Sequence, residues 1–241
     1  MKVNLSDIDE KRFGVRTAWA KDVTSDSLPR ILSFSKEHKV NFLIARCNTS
    51  EIRAAQAMEN NGFQIMDTLL YYVFNLNIKD NLPVDKNNVM IRLFQPNDLE
   101  DIKKTAAESF NGYFGHYHED EKLNKDDCDA VYVDWVYNAC FSRDESNDVC
   151  VAAVDGNIVG FGLMRLNSSD EGEWVLGGIH PDYQGRGIYR SMILFILKWC
   201  KSKGANRMVI STQIDNLGVR KVWARLGFEP THSYYTFHKW F

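Results

Sequence analysis

The stretch Trp174-Val175-Leu176-Gly177-Gly178-Ile179-His180-Pro181-Asp182-Tyr183-Gln184-Gly185-Arg186-Gly187-Ile188-Tyr189 joins an apolar, strand-like run to the start of a long amphipathic helix. The first N–H groups of a helix have no intrahelical acceptor, and the helix dipole adds partial positive charge. A strand that enters a helix through glycines therefore forms an anion cradle. Gly185 and Gly187 let the backbone approach a pyrophosphate closely. A dinucleotide fingerprint is excluded because Gly-x-Gly-x-x-Gly needs glycine where Arg190 stands, and no Gly-Lys-Ser/Thr marks a P-loop. Taken alone, a ligand-free glycine turn between strand and helix is the competing reading.

Around the cradle the pattern extends in both directions. Apolar residues at 188, 192, 193, 196, 197 and 200 share one helical face, and Lys201, Lys203 and Gly204 mark the helix end. Upstream, Val89–Leu93 is a strand, Pro96-Asn97-Asp98-Leu99 opens a helix, and the runs 149–154 and 158–166 flank the turn Asp155-Gly156-Asn157 as a hairpin. Downstream come a strand at 208–212, a helix at 216–226 stopped by Gly227-Phe228, and an aromatic strand, Tyr234-Tyr235-Thr236-Phe237. The order over 89–241 is β-α-(α)-β-β-α-β-α-β.

The N-terminal part repeats the last of these elements: a strand at 42–45, a helix at 51–61, Gly62-Phe63, and a strand ending Tyr71-Tyr72-Val73-Phe74. Polar residues and Pro83 separate it from the rest. We therefore expect a truncated N-terminal copy over 1–80, a linker over 81–88 and a complete domain over 89–241. Separate use of one helix-stop-strand device is the competing reading of the echo, and the truncated copy is favoured.

The 241 residues suit one full domain with a smaller partner; 44% are hydrophobic and 25% charged, and the net charge is -3. No basic field favours nucleic acid or an anionic membrane. Five cysteines without any Cys-x-x-Cys pair argue against a zinc site or a disulfide framework. With a charged N-terminus and no long apolar run, a cytoplasmic protein is expected.

From Gln184 to Gly187 the cradle resembles the acyl-CoA loop of the GNAT acetyltransferases, Gln/Arg-x-x-Gly-x-Gly/Ala, although Tyr189 stands where that family has glycine or alanine. The resemblance implies an α/β (α+β type) GNAT fold: a mixed central sheet whose two parallel strands splay apart, here with a truncated GNAT-like N-terminal half. It implies acetyl-CoA as co-substrate and no metal. It implies cofactor contacts from the Ile179 backbone, from Gln184, Gly185, Arg186, Gly187, Ile188 and Tyr189, and from Asn216, which otherwise reads only as a helix cap. Gly177 and Gly178 are expected to form a β-bulge in the splayed strand.

In Asn-x6-Tyr-x3-Gly-Phe, a pattern common in the family, the tyrosine protonates the leaving thiolate; Trp223 occupies that position here. An indole N–H donates a hydrogen bond but no proton near neutral pH. Tyr235 and Tyr189 are the substitute phenols, each with a structural alternative. Glu173, His116, His118 and Asp120 are candidates for taking the amine's proton, against simple surface solvation.

Phe13-Gly14-Val15, Ala45–Glu51, Tyr113–Asp120 and Tyr132-x-x-Trp135-x-x-Asn138 together resemble the dTDP-fucosamine acetyltransferases. These acetylate the amine of a dTDP-4-amino-4,6-dideoxy sugar for surface glycans. The resemblance implies a nucleotide-linked amino sugar as acceptor, with His116, His118 and Asp120 in its wall. Tyr132, Trp135 and Val136 are expected to form a helical stripe packed on the sheet. Another small amine or a protein N-terminus as acceptor, a silent acyl-CoA-binding module, and a homodimer through the aromatic strands remain open.

Overall fold

The computed structural model describes residues 2–77, 82–85, 87 and 89–241. Residues 81, 86 and 88 of the expected linker, and 1 and 78–80 of the expected N-terminal half, lie outside the described residues. The strands are β1 (Lys2–Leu5), β2 (Thr17–Lys21), β3 (Phe42–Asn48), β4 (Gln64–Asn75), β5 (Met90–Leu93), β6 (Asn147–Val154), β7 (Asn157–Ser168), β8 (Glu171–Ile179), β9 (Arg207–Gln213) and β10 (Glu229–Trp240). The α-helices are α1 (Asp7–Phe13), α2 (Leu28–Glu37), α3 (Ile52–Asn60), α4 (Leu99–Phe110), α5 (Lys125–Phe141), α6 (Ile188–Ser202) and α7 (Leu217–Leu226).

All ten strands join one sheet in the order β1-β2-β3-β10-β4-β9-β8-β7-β6-β5. Only β2 with β3 and β8 with β9 run parallel; the other neighbours are antiparallel. The order β-α-β-α-β therefore occurs twice, as β2-α2-β3-α3-β4 and as β8-α6-β9-α7-β10. The two copies exchange their last strands, since β10 sits between β3 and β4 while β4 sits between β10 and β9. The first copy is longer than the sequence reading, which began it at 42–45, because it also includes β2 and the amphipathic α2.

Side-chain alternation along the strands assigns the two faces. Leu43, Ala45 and Cys47 of β3 point to the core under α2 and α3. On the same face Leu70, Tyr72 and Phe74 of β4 pack with α6 and α7. Phe42 and Ile44 of β3 point the other way, to a core closed by α4 and α5. In α5, Tyr132 and Val136 are buried as expected, but Trp135 is 45% exposed. The buried face of α5 runs along Cys128, Val131, Tyr132, Val136 and Cys140, and Trp135 lies outside it. All five cysteines are buried and free. Among the described residues no helix is long and apolar enough to cross a membrane.

Candidate active site

The cradle forms where β8 ends. A short 3-10 turn, Pro181–Tyr183, leads into Gln184, and Gly185 and Gly187 take φ of +73° and +79°. Side chains rarely adopt that conformation, which explains glycine at both. From Gly185 to Tyr189 no backbone N–H donates to any acceptor among the described residues; the first bonded amide of α6 is Ser191, to the Gly187 carbonyl at 3.1 Å. This row of free donors at a helix N-terminus fits a pyrophosphate. The Gln184 side chain turns back and donates to the Ile179 carbonyl at 3.1 Å, tying the cradle to the strand.

Beside the cradle the two parallel strands separate. Strand β8 pairs with β9 only from Glu171 to Trp174, so Val175–Ile179 leave that edge of β8 open. His180 N–H donates to Val159 on β7 at 2.9 Å. Strand alternation then turns the N–H groups of Ile179 and Gly177 toward the opening, where an extended ligand can pair with them. A cavity of about 100 Å³ lies between the strands, walled by Val175–Gly177, Ile210–Thr212 and Asn216 among others.

The bulge expected at Gly177-Gly178 lies elsewhere: Met164 pairs with Trp174 and Leu163 with Leu176, so Val175 is the extra residue. The glycines serve close packing instead. A Cβ on Gly177 would lie 2.3 Å from the Trp174 ring, and one on Gly178 2.7 Å from Cβ of Ser109 in α4. The Trp174 ring is fixed by its Nε1, which donates to the Leu176 carbonyl at 2.6 Å.

Three aromatic rings close the cavity. Tyr189 packs on Trp174 with ring centroids 4.9 Å apart, and Trp223 is 1% exposed. Trp223 Nε1 donates to the Tyr189 phenol oxygen at 3.1 Å. Burial pushes the Tyr189 phenol well above its usual range, against the opposing effect of the Trp223 hydrogen bond. Asn216 caps α7 by accepting from Val219 N–H at 3.4 Å, and its Nδ2 donates to Thr212 Oγ1 at 3.0 Å.

On the α4/α5 face a polar network lies under the loop that joins those helices. Asp120 Oδ2 accepts from His238 Nδ1 at 2.7 Å and from Trp240 Nε1 at 2.9 Å, and Lys122 N–H donates to its Oδ1 at 3.0 Å. His238 Nε2 meets His116 Nδ1 at 2.9 Å. Burial, followed by the neighbouring His238, holds His116 well below 6.5. Burial also lowers His238, although Asp120 pulls the other way. His118 bonds through Nε2 to Asp129 at 2.9 Å, and Tyr113 donates to Gln213 Oε1 at 2.6 Å.

The structure thus gathers Ile179, Gln184–Tyr189, Asn216 and Trp223 around one opening, and His116, His118 and Asp120 within the α4–α5 loop. Glu173, on β8 below the opening, is engaged by Arg165 at 2.5 Å. Tyr235 is separated from all of them: its position on β10 turns it to the opposite face, against the core under α2 and α3. His238 and Trp174, which tie these groups together, escape sequence reading because their partners are remote or masked by an apolar run. The one signal for Asp67, discussed below, is an acid inside the apolar strand β4.

A parallel strand pair that opens beside an anion cradle at a helix N-terminus defines an acyl-CoA-dependent transferase class. The chain belongs to the GNAT acetyltransferases: the Acetyltransferase (GNAT) family profile matches residues 100–228. It is 26% identical over 146 residues to the spore coat polysaccharide biosynthesis protein SpsD of Bacillus subtilis (strain 168), covering 61% of this chain and 49% of that protein. It is 27% identical over 150 residues to the mycothiol acetyltransferase of Arthrobacter sp. (strain FB24), covering 59% of this chain and 43% of that one. The chain therefore spans about half the length of these relatives. In fold it matches a GCN5-related N-acetyltransferase from Sphaerobacter thermophilus with a TM-score of 0.67 at 14% identity, covering 99% of this chain and 76% of that one. A tandem GNAT protein from the clavulanic acid biosynthesis pathway matches with a TM-score of 0.64 at 13% identity, covering 94% and 76%.

Proposed function

We propose that the protein is an acetyl-CoA-dependent N-acetyltransferase of the cytoplasm that acetylates the amine of a nucleotide-linked amino-deoxy sugar, of the dTDP-4-amino-4,6-dideoxy class, by direct attack in a ternary complex. The observation that carries the reading is the unbonded N–H row from Gly185 to Tyr189 at the mouth of the β8/β9 opening. Support for a sugar acceptor comes from the likeness to SpsD, a protein of spore coat polysaccharide biosynthesis. The N-terminal half is read as a truncated second copy of the fold, which lacks a cradle and serves the catalytic copy at 89–241.

Acetyl-CoA supplies a thioester. The N–H groups from Gly185 to Tyr189 hold its pyrophosphate, and Arg186 stands beside them. Ile179 and Gly177 donate along the open edge of β8, one of them to the acyl carbonyl, whose oxygen gains charge as the amine attacks. Tyr189 stands closer to the proton-donor role than Trp223: its phenol stays protonated at neutral pH, Trp223 N–H accommodates the charge when the phenol gives its proton to the thiolate, and the proton lost by the attacking nitrogen resets the phenol. His116 and Asp120 shape the acceptor wall through His238, and His118 stands in the same wall.

The test is calorimetry with acetyl-CoA followed by thiol release over dTDP- and UDP-linked amino sugars, simple amines and peptides. Tight acetyl-CoA binding with turnover on a dTDP-amino sugar is expected. Turnover of peptides but of no sugar overturns the acceptor, and binding without any turnover overturns the enzyme.

A further inference from the structure

Strand β4 carries an acid in the middle of the sheet. Asp67 pairs with Thr236 of β10, and Thr236 pairs with Arg46 of β3. The three residues form a transverse row on the α4/α5 face. Arg46 spends its Nε on Thr236 Oγ1 at 3.1 Å, and its guanidinium lies 5.1 Å from the centre of the Trp19 ring. Both carboxylate oxygens of Asp67 are sealed from solvent without a hydrogen-bond partner among the described residues.

Two residues along β4 on the same face, Leu69 pairs with Gln213, which accepts from the Tyr113 phenol, and a second sealed atom lies by that ring. His118 Nδ1 also has no partner, and with the ring proton on Nε2, toward Asp129, Nδ1 is an acceptor. The His118 ring stacks on Tyr132, with centroids 6.0 Å apart, and meets Tyr113 edge-on at 6.4 Å. Asp67 adds to the burial that raises the Tyr113 phenol, and acts in the same direction on Tyr132. Tyr113 in turn lines the cavity between β8 and β9. The two sealed groups thus both offer acceptors on the α4/α5 face, linked to the opening through Tyr113. Native proteins rarely bury polar atoms unpaired, so such a pair calls for a ligand rich in donors.

We propose that Asp67 accepts hydrogen bonds from the acceptor's neutral amine while His118 Nδ1 accepts from a hydroxyl beside it. The site then selects an amine flanked by hydroxyls, as on an aminated sugar ring. This rests on the acetyl-transfer reading above and extends it: the truncated half contributes a substrate-binding residue through its exchanged strand.

The experiment compares the full-length protein with Asp67→Asn. Each is assayed with acetyl-CoA and dTDP-4-amino-4,6-dideoxygalactose, glucosamine or a primary-amine peptide, whichever the wild type acetylates best. Asp67→Asn is expected to lower kcat/KM for that acceptor on the order of 50-fold, mostly through KM, because a charge-assisted bond to the amine is lost. Acetyl-CoA affinity, read by calorimetry, stays within about twofold, which shows that the variant is folded. Without acceptor, Asp67→Asn is expected to melt a few degrees higher than wild type, because an unpaired buried charge is gone. A variant that keeps wild-type acceptor kinetics, or that melts lower, overturns the assignment. A wild type that acetylates none of the three amines overturns the acetyl-transfer reading instead.

Discussion

Trp223 Nε1 and the Tyr189 phenol oxygen lie 3.1 Å apart, so the indole at the family's tyrosine position is hydrogen-bonded to a phenol delivered by the preceding helix. The phenol that Asn216-x6-Trp223 lacks is therefore restored one residue past the first position of α6. Tyr189→Phe keeps the ring against Trp174 but removes the proton. We expect kcat to fall about 100-fold with acetyl-CoA KM nearly unchanged. Trp223→Phe removes only the supporting bond, and its kcat should fall less than that of Tyr189→Phe. Steady-state kinetics of both variants decide it; equal rates for Tyr189→Phe and wild type assign thiolate protonation elsewhere.

The cradle was legible in the sequence because its signals are local: an apolar run, two glycines and a periodic helix are read within some thirty residues. The same holds for α7, whose cap Asn216 and stop Gly227 are adjacent to it. What escaped depends on distant pairing. Tyr234–Phe237 reads as part of a terminal strand, but nothing local says that this strand separates β3 from β4 or that its place beside β9 is taken by Leu69–Asn75. Gly177-Gly178 was misread as a bulge because glycine also marks close approach, here of Trp174 and Ser109. His116 and Asp120 were legible as polar groups in a loop, but the His238 that links them lies at the far end of the chain.

That buried link makes the protein acid-labile. His116 and His238 are held below 6.5. In the unfolded chain both rings take protons near that pH, and in the folded chain they do not. The unfolded state then binds more protons, so stability is full above about pH 7 and falls as pH drops below 6.5, by up to about 1.4 kcal/mol per pH unit for each ring. Burial pushes Asp120 up, but His238, Trp240 and the Lys122 amide together bring it below 3.8, so its own contribution is lost only in stronger acid. Urea unfolding at pH 8, 6.5 and 5 should show a falling midpoint, and His116→Gln should flatten the fall. A constant midpoint from pH 8 to 5 contradicts the buried neutral pair.

Gly177→Ala tests the packing that shapes the opening. The added methyl lands 2.3 Å from Cζ2 of Trp174 and 2.4 Å from its Nε1. The indole must move, breaking its bond to Leu176 and entering the cavity beside Tyr189. Overpacking of this kind costs about 2 kcal/mol. Calorimetry should show weaker acetyl-CoA binding alongside a lower melting temperature. Unchanged affinity would place the acyl chain away from Trp174.

The exchanged strands predict how the chain can be divided. Strand β10 pairs with β3 over Tyr234–Trp240 and with β4 from Glu229 to His238, and β4 pairs with β9 over Leu69–Asn75. A fragment of residues 89–241 keeps its cradle yet loses both neighbours of β10 and the partner of β9. The partnerless β10 and the opened edge of β9 then expose apolar side chains such as Phe237 and unbonded backbone, which favours aggregation over folding. Residues 1–80 alone leave β3 and β4 unjoined in the same way. We expect each fragment to be insoluble or unfolded by itself, while the two produced together should co-purify and bind acetyl-CoA. The ladders supply the association, and the cost of losing the covalent connection is one of chain entropy only. A monomeric 89–241 fragment that unfolds cooperatively would show that the catalytic half closes its own sheet, and that the exchange is dispensable.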